Sequence, residues 1–165
     1  MKRAPLLLLG AVSLVACGFH LRGSSAQTNI ASAYVRGASN VDVTVELTNA
    51  LGRSGVRLLD TPSGAAVVID LLDEQQNTRT LSYTERATTA ESQLELGVRF
   101  KVVGGDDKVL IDDRWARATR TYLVDTNNLV GSAQQESLLH GELVSDVAQQ
   151  IIRSLNAATR NAAAR

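Results

Sequence analysis

The residues that could take part in chemistry are few and mostly isolated. The chain of 165 residues contains one cysteine, Cys17, and two histidines, His20 and His140. No metalloprotease, serine-hydrolase or phosphate-loop motif occurs, and a lone cysteine can form neither an intrachain disulfide nor a cysteine-based zinc site. The adjacent Asp112 and Asp113 should point to opposite faces of a strand unless a bulge intervenes. We therefore expect no catalytic residue, no metal site and no cofactor, and the chain is not predicted to be an enzyme.

Cys17 follows a segment with the layout of an export signal. Lys2 and Arg3 give a positive start, an apolar stretch follows, and the small residue Ala16 precedes the cysteine. Residues 14–17, Leu-Val-Ala-Cys, resemble the bacterial lipobox, in which a diacylglycerol is attached to the cysteine sulfur and cleavage leaves that cysteine as the N-terminus. We predict that residues 1–16 are a removed lipoprotein signal peptide and that Cys17 is lipidated. The alternative is an ordinary signal peptide with a coincidental buried cysteine.

The positions of the arginines say more about possible binding than those of the other charged residues. The chain has 14 arginines against 3 lysines, and Arg114, Arg117 and Arg120 recur at spacing three on one predicted strand. Because side chains alternate along a strand, Arg114 and Arg120 should share one face, and Arg117 should lie on the other beside Trp115. Guanidinium groups bind phosphate and carboxylate through paired donors, so this strand could contact an anionic ligand. The alternative is a solvated surface balanced by Glu95, Asp112 and Asp113.

Composition limits the kind of protein. Lys plus Arg and Asp plus Glu both number 17, and hydrophobic residues make up 44% of the chain. This composition is neither that of a disordered chain nor the basic composition typical of nucleic-acid binding, so no nucleic acid partner is expected. The length suits one domain.

The strands are indicated by alternation. Leu94, Leu96, Val98, Phe100 and Val102 alternate with mostly polar residues, which is the clearest strand pattern in the chain. The turn composition of 104–107 predicts a hairpin leading to a strand over 108–122, which would bring the arginines of that strand beside Arg99. Further strands are expected at 30–36 and at 65–73, the second of which could extend to Tyr83, and residues 56–59 are a short apolar run.

Two segments have helical features. Residues 132–158 carry apolar side chains four apart, at Leu139, Leu143, Val147 and Ile151, so they predict a long amphipathic helix, followed by a frayed tail over 159–165. Residues 40–54 are ambiguous, because Val41, Val43 and Val45 alternate as in a strand while capping signals and later apolar residues fit a helix.

These elements predict an α+β fold. Residues 17–28 would be a lipidated N-terminus and tether, and 29–158 one domain. An antiparallel or mixed sheet of about four strands would have two helices packed on one face and would leave the other face polar.

Two stretches resemble a known family. Residues 17–23, Cys-Gly-Phe-His-Leu-Arg-Gly, are similar to the mature start of the LPS-assembly lipoprotein LptE family. Leu-Thr-Asn-Ala-Leu at 47–51, followed by Gly-Val-Arg-Leu-Leu-Asp at 55–60, is similar to the family's first helix and the strand after it, which favours a helix over 40–54. In the lipoprotein families that this start resembles, Gly18 in place of aspartate implies sorting to the outer membrane.

The resemblance implies a non-catalytic outer-membrane lipoprotein on the periplasmic side. Such a protein plugs the lumen of an LptD β-barrel, helps that barrel to assemble and takes part in placing lipopolysaccharide (LPS) in the outer leaflet. Its partners would be the barrel, LPS and the membrane that holds the anchor. In the family, basic residues in the loop between the middle strands and just before the last helix are associated with LPS contact. Arg86 lies in the first of these places, one position from an ideal match, whereas residues 131–133 lack a basic residue at the second. Together with Arg99 and Arg120 of the paired strands, Arg86 makes up the predicted LPS-binding residues. The alternative is a lipid-anchored periplasmic module that binds a soluble ligand or envelope polymer.

Overall fold

Five strands and two helices make up the structure, a computed structural model that describes residues 30–37, 41–85, 89–125 and 127–163. The predicted signal peptide, Cys17 and the predicted tether therefore lie outside the described residues. The elements in chain order are β1 Ser32–Gly37, α1 Val41–Arg53, β2 Arg57–Leu58, β3 Val67–Tyr83, β4 Thr89–Gly104, β5 Val109–Leu123 and α2 Leu129–Ala163.

The strands form one mixed sheet in the order β2-β1-β3-β4-β5. β1 pairs in parallel with β2 and β3, whereas β3, β4 and β5 pair as an antiparallel meander. The predicted α+β class is confirmed, with five strands where about four were expected. The additional strand is the two-residue β2, which lies within the apolar run 56–59 and pairs at the sheet edge.

Residues 41–53 form a helix, which resolves the ambiguity of that segment. Val43, Leu47, Ala50 and Leu51 are buried at helical spacing, whereas Val45 is 53% exposed. In a strand, Val43 and Val45 would lie on the same face. The helix instead buries Val43 together with Leu47, Ala50 and Leu51 and leaves Val45 exposed. The helix ends at Arg53, and Gly55 after it has a φ of 84°. The N–H of Val56 donates to the carbonyl oxygen of Leu51 and that of Gly55 to Gly52, the pattern of a Schellman cap.

The core lies between the sheet and the two helices. On β4, Leu94, Leu96, Val98, Phe100 and Val102 are all buried on the face that the helices cover. The buried side chains of α2 that complete this layer are Leu143, Val147, Ile151 and Leu155. The opposite face of the sheet, called here the open face, carries mostly polar side chains, so the predicted division into a covered and a polar face is confirmed.

The second helix is longer than expected. It begins at Leu129 because Asn128 caps it: the side-chain oxygen of Asn128 accepts the N–H of Gly131 at 3.0 Å. It continues through Ala163, where a frayed tail was expected from residue 159, because the alanine-rich sequence of this segment favours helix. Its 35 residues span about 52 Å. Across the described ranges, no helix is both long and apolar enough to span a membrane.

Candidate functional site: the arginines of β4 and β5

The structure places Arg99 and Arg120 on opposite faces of the sheet. Arg99 is opposite Trp115 on the open face, whereas Arg120 is opposite the buried Leu94 on the covered face. Arg114 also lies on the covered side, opposite Phe100, and Arg117 on the open side. The alternation predicted for the β5 arginines is therefore confirmed, but the two candidates Arg99 and Arg120 are not brought together. The third candidate, residue 86, lies outside the described residues.

On the open face, arginines and carboxylates form cross-strand pairs. Arg99 Nη1 lies 3.1 Å from Asp113 Oδ2, and Arg117 Nε lies 3.7 Å from Glu95 Oε1. The guanidinium of Arg117 also lies over the Trp115 ring, 4.3 Å from its centroid, in a cation–π contact. These pairs are more than one third exposed, so each contributes little to stability. The open face is a nearly neutral polar surface.

Gly97 makes room for the stacked pair of Trp115 and Arg117. A Cβ at position 97 would lie 3.2 Å from Arg117 Cγ and 3.3 Å from Trp115 Cε3, closer than nearly all such contacts. The sequence analysis did not single out this residue. A glycine inside a strongly alternating strand was the available signal, since such a glycine often marks a close approach.

Arg120 is held by two carboxylates of α2. Its Nε lies 2.9 Å from Glu142 Oε2, and its Nη2 lies 2.5 Å from Asp146 Oδ2. The hydrogen bonds to Glu142 and then to Asp146 raise the pKa of Arg120 above its usual value. The two acids are four apart on a helix and so share one face, but the sequence does not tell which strand residue they meet.

Two further contacts join β5 to α2. The side chain of Gln150 donates to the carbonyl oxygen of Arg117 at 2.7 Å and accepts its N–H at 3.3 Å, so it covers backbone groups at the edge of the sheet. The hydroxyl of Tyr122 donates to Glu136 Oε2 at 3.0 Å. Burial, followed by the bond to Glu136, raises the pKa of Tyr122. These contacts define the seam between β5 and α2.

Asp112 and Asp113 lie at an irregularity of β5, the condition under which two adjacent carboxylates need not point to opposite faces. The pairing of β4 with β5 shifts register at Asp112 and Asp113, and the Oδ1 of Asp112 accepts the N–H of Asp113 at 2.8 Å. His140 lies on α2 near Glu74 of β3. Burial raises the pKa of Glu74, and the electrostatic effect of His140 opposes part of this rise. No three acidic or histidine side chains are grouped for a metal ion within the described part of the chain.

The fold and these contacts define a small α+β domain with a covered face and a polar open face. The family model for LptE, described as lipopolysaccharide-assembly, matches residues 28–155. The chain therefore belongs to the LptE family of lipopolysaccharide-assembly lipoproteins. A curated relative from Photorhabdus laumondii, named "LPS-assembly lipoprotein LptE", is 27% identical over 159 residues, which cover 90% of this chain and 83% of the relative.

Solved structures share the fold. Rare lipoprotein B from Shewanella oneidensis has a TM-score of 0.69 at 20% identity and covers 79% of this chain and 97% of its own. Lipoprotein B from Nitrosomonas europaea has a TM-score of 0.72 at 20% identity, with coverages of 87% and 93%. A minor lipoprotein from Acinetobacter baumannii has a TM-score of 0.63 at 26% identity, with coverages of 78% and 92%. The relatives are thus lipoproteins by name, and the first two support the fold alone.

Proposed function

We propose that this protein is an outer-membrane lipoprotein, anchored through Cys17, that binds an LptD-like β-barrel and takes part in placing LPS in the outer leaflet. The observation that carries the proposal is the family match over 28–155, together with a relative whose name assigns it to LPS assembly. The role is that of a non-catalytic partner and plug of the barrel. It would act on the periplasmic side and help the barrel to assemble.

The polar open face supports the plug role. A barrel lumen is lined by polar side chains and water, so a plug needs a polar surface that is satisfied without a large net charge. Removal of residues 1–16 takes away Lys2 and Arg3, which leaves 15 basic against 17 acidic residues. The pairs of Arg99 with Asp113 and of Arg117 with Glu95 neutralise the centre of the open face locally.

The anchor proposal rests on residues 14–17 and on the export signal before them. Each buried acyl methylene contributes about 0.8 kcal/mol, so several chains on Cys17 would hold the protein stably at a membrane, whereas a single chain would not. Gly18 in place of aspartate supports the outer membrane as that location.

Direct contact with LPS through Arg86, Arg99 and Arg120 is proposed as well. Lipid A carries phosphates, which arginine binds through paired donors. Because Arg99 and Arg120 lie on opposite faces, one phosphate group cannot contact both of them at once. Arg99 would have to exchange Asp113 for a phosphate, and Arg120 would have to exchange two carboxylates.

The proposal is tested by conditional depletion of the protein in cells that depend on it, followed by measurement of LPS accessible to surface labelling. Depletion should lower surface LPS and leave LPS inside the envelope. Expression of the unchanged chain should restore it, and Cys17→Ala should restore much less because the protein would be unacylated. Normal surface LPS after full depletion would contradict the proposed role and would favour a periplasmic module with another ligand.

A further inference from the structure

A groove of about 530 Å³ runs between the first half of β5 and the C-terminal third of α2. Its charged lining consists of Lys108, Arg114 and Arg153. In the described part of the chain, no carboxylate lies within 4.0 Å of any of these three cations, whereas Arg99, Arg117 and Arg120 each have a carboxylate partner. The groove is therefore a concentration of uncompensated positive charge on a chain whose overall charge is near zero.

The charge of α2 changes along its seam with β5. In the half that faces Arg120, α2 supplies Glu142 and Asp146. In the half that faces Arg114, which is on the same side of the sheet, α2 supplies Arg153 instead. Two arginines that face one groove repel each other unless an anion lies between them. Their guanidinium groups suit the oxygens of a phosphate.

The rest of the groove is lined by the polar residues Ser154 and Asn161 and by aliphatic residues. Val109 and Leu110 line it from β5, and Ala157 and Ala162 line it from α2. Val109 is 49% exposed, although it is a large aliphatic residue. Of the hairpin carboxylates, Asp107 lines one neighbouring depression, and Asp106 lines another that shares Leu110 and Ala162 with the groove. Neither carboxylate forms an ion pair with Lys108, Arg114 or Arg153. Cations beside an aliphatic floor match an amphiphile with a phosphate and an acyl chain better than they match a free phosphate.

The groove lies at the end of the domain where the described chain begins. Ile30 lines a depression with Leu110 and Ala162, and both of these residues also line the groove. The 13 residues from Cys17 to 29 can span at most about 45 Å when fully extended. If Cys17 carries the lipid anchor, this end of the domain stays within that distance of the bilayer.

We propose that the groove of Lys108, Arg114 and Arg153 binds the phosphate headgroup of an anionic phospholipid, with the start of an acyl chain against Val109 and the alanines of α2. The inference rests on the proposed anchor, which keeps the groove near a membrane surface. The site would be separate from the proposed LPS contacts.

The test counts the lipids bound to the full acylated chain, purified alone in a nonionic detergent, by native mass spectrometry. Phosphatidylglycerol and phosphatidylcholine are added in parallel at matched concentrations. We expect phosphatidylglycerol to bind about tenfold more tightly, and this preference to be lost in the double variant Arg114→Gln, Arg153→Gln. The matched control, Arg57→Gln with Lys101→Gln, removes the same charge outside the groove and should keep the preference.

Three results would overturn the inference. These are equal binding of the two lipids, an unchanged preference in the groove variant, and complete displacement of phosphatidylglycerol by inorganic phosphate, which would show that free phosphate is the ligand. Binding of purified LPS without binding of phosphatidylglycerol would also contradict it. Because the protein is studied without a barrel, these outcomes are independent of whether the chain binds LptD.

Discussion

At the residue scale, the function of an arginine here depends on what lies beside it. Alternation along β5 correctly predicted that Arg114 and Arg120 share one face and that Arg117 lies on the other, because alternation depends only on the backbone. The partners could not be predicted in the same way. Glu142 and Asp146 meet Arg120 only because α2 packs along β5 in one register, which is set by the core and by no local sequence signal. The same packing leaves Arg114 beside Arg153.

Variants of Arg99 and Arg120, which lie on opposite faces of the sheet, test the proposed LPS contacts separately. Substitution of Arg86, Arg99 and Arg120 together by glutamine should weaken LPS binding at low salt, because phosphate contacts are lost. Among single variants, Arg99→Gln should weaken binding more than Arg120→Gln, by about three- to tenfold, because Arg99 has one carboxylate to exchange and Arg120 has two. Equilibrium binding of purified LPS measures the effect, with Arg57→Gln as the control. Binding by the triple variant that equals that of the unchanged chain would remove these residues from the LPS site.

At the element scale, the edge strand β5 is protected by a helix side chain. An exposed strand edge offers unpaired backbone groups to other chains, and natural proteins cover or blunt such edges. Gln150 of α2 covers this edge by hydrogen bonding to both the N–H and the carbonyl oxygen of Arg117.

The secondary structure of β4, β5 and α2 could be predicted because each follows one hydrophobic period over many residues. Residues 41–53 were not predictable from period alone, because three alternating valines imitate a strand until the helix packs against the sheet.

The contribution of Gln150 to stability can be compared with that of Gln149, its neighbour in the chain. Gln150→Ala should lower the free energy of unfolding by about 1 kcal/mol, because two hydrogen bonds to the β5 backbone are lost. Gln149→Ala, at an exposed position, should change it by less than about 0.5 kcal/mol. Urea unfolding followed by circular dichroism gives both values. Equal effects of the two substitutions would mean that the contact does not stabilise the seam.

At the scale of the whole molecule, the two faces of the sheet differ, and so do the two ends of the domain. The helices cover one face of the sheet and leave the polar open face uncovered, and the end that holds Ile30 also holds the cationic groove. The class and order of elements followed from hydrophobic periods. The opposite placement of Arg99 and Arg120 and the convergence of Lys108, Arg114 and Arg153 required the three-dimensional packing, because those residues come from separate segments.

The most direct test of the proposed function is the composition and intact mass of what is extracted with this chain from outer membranes in mild detergent. The account predicts a chain that begins at residue 17, with the added mass of acyl chains on Cys17, together with an LptD-like barrel in about equal amount. Membranes from cells that express Cys17→Ala, handled identically, are the control and should yield no acylated chain. A chain with intact acylation that stays monomeric, with no barrel, would contradict the account.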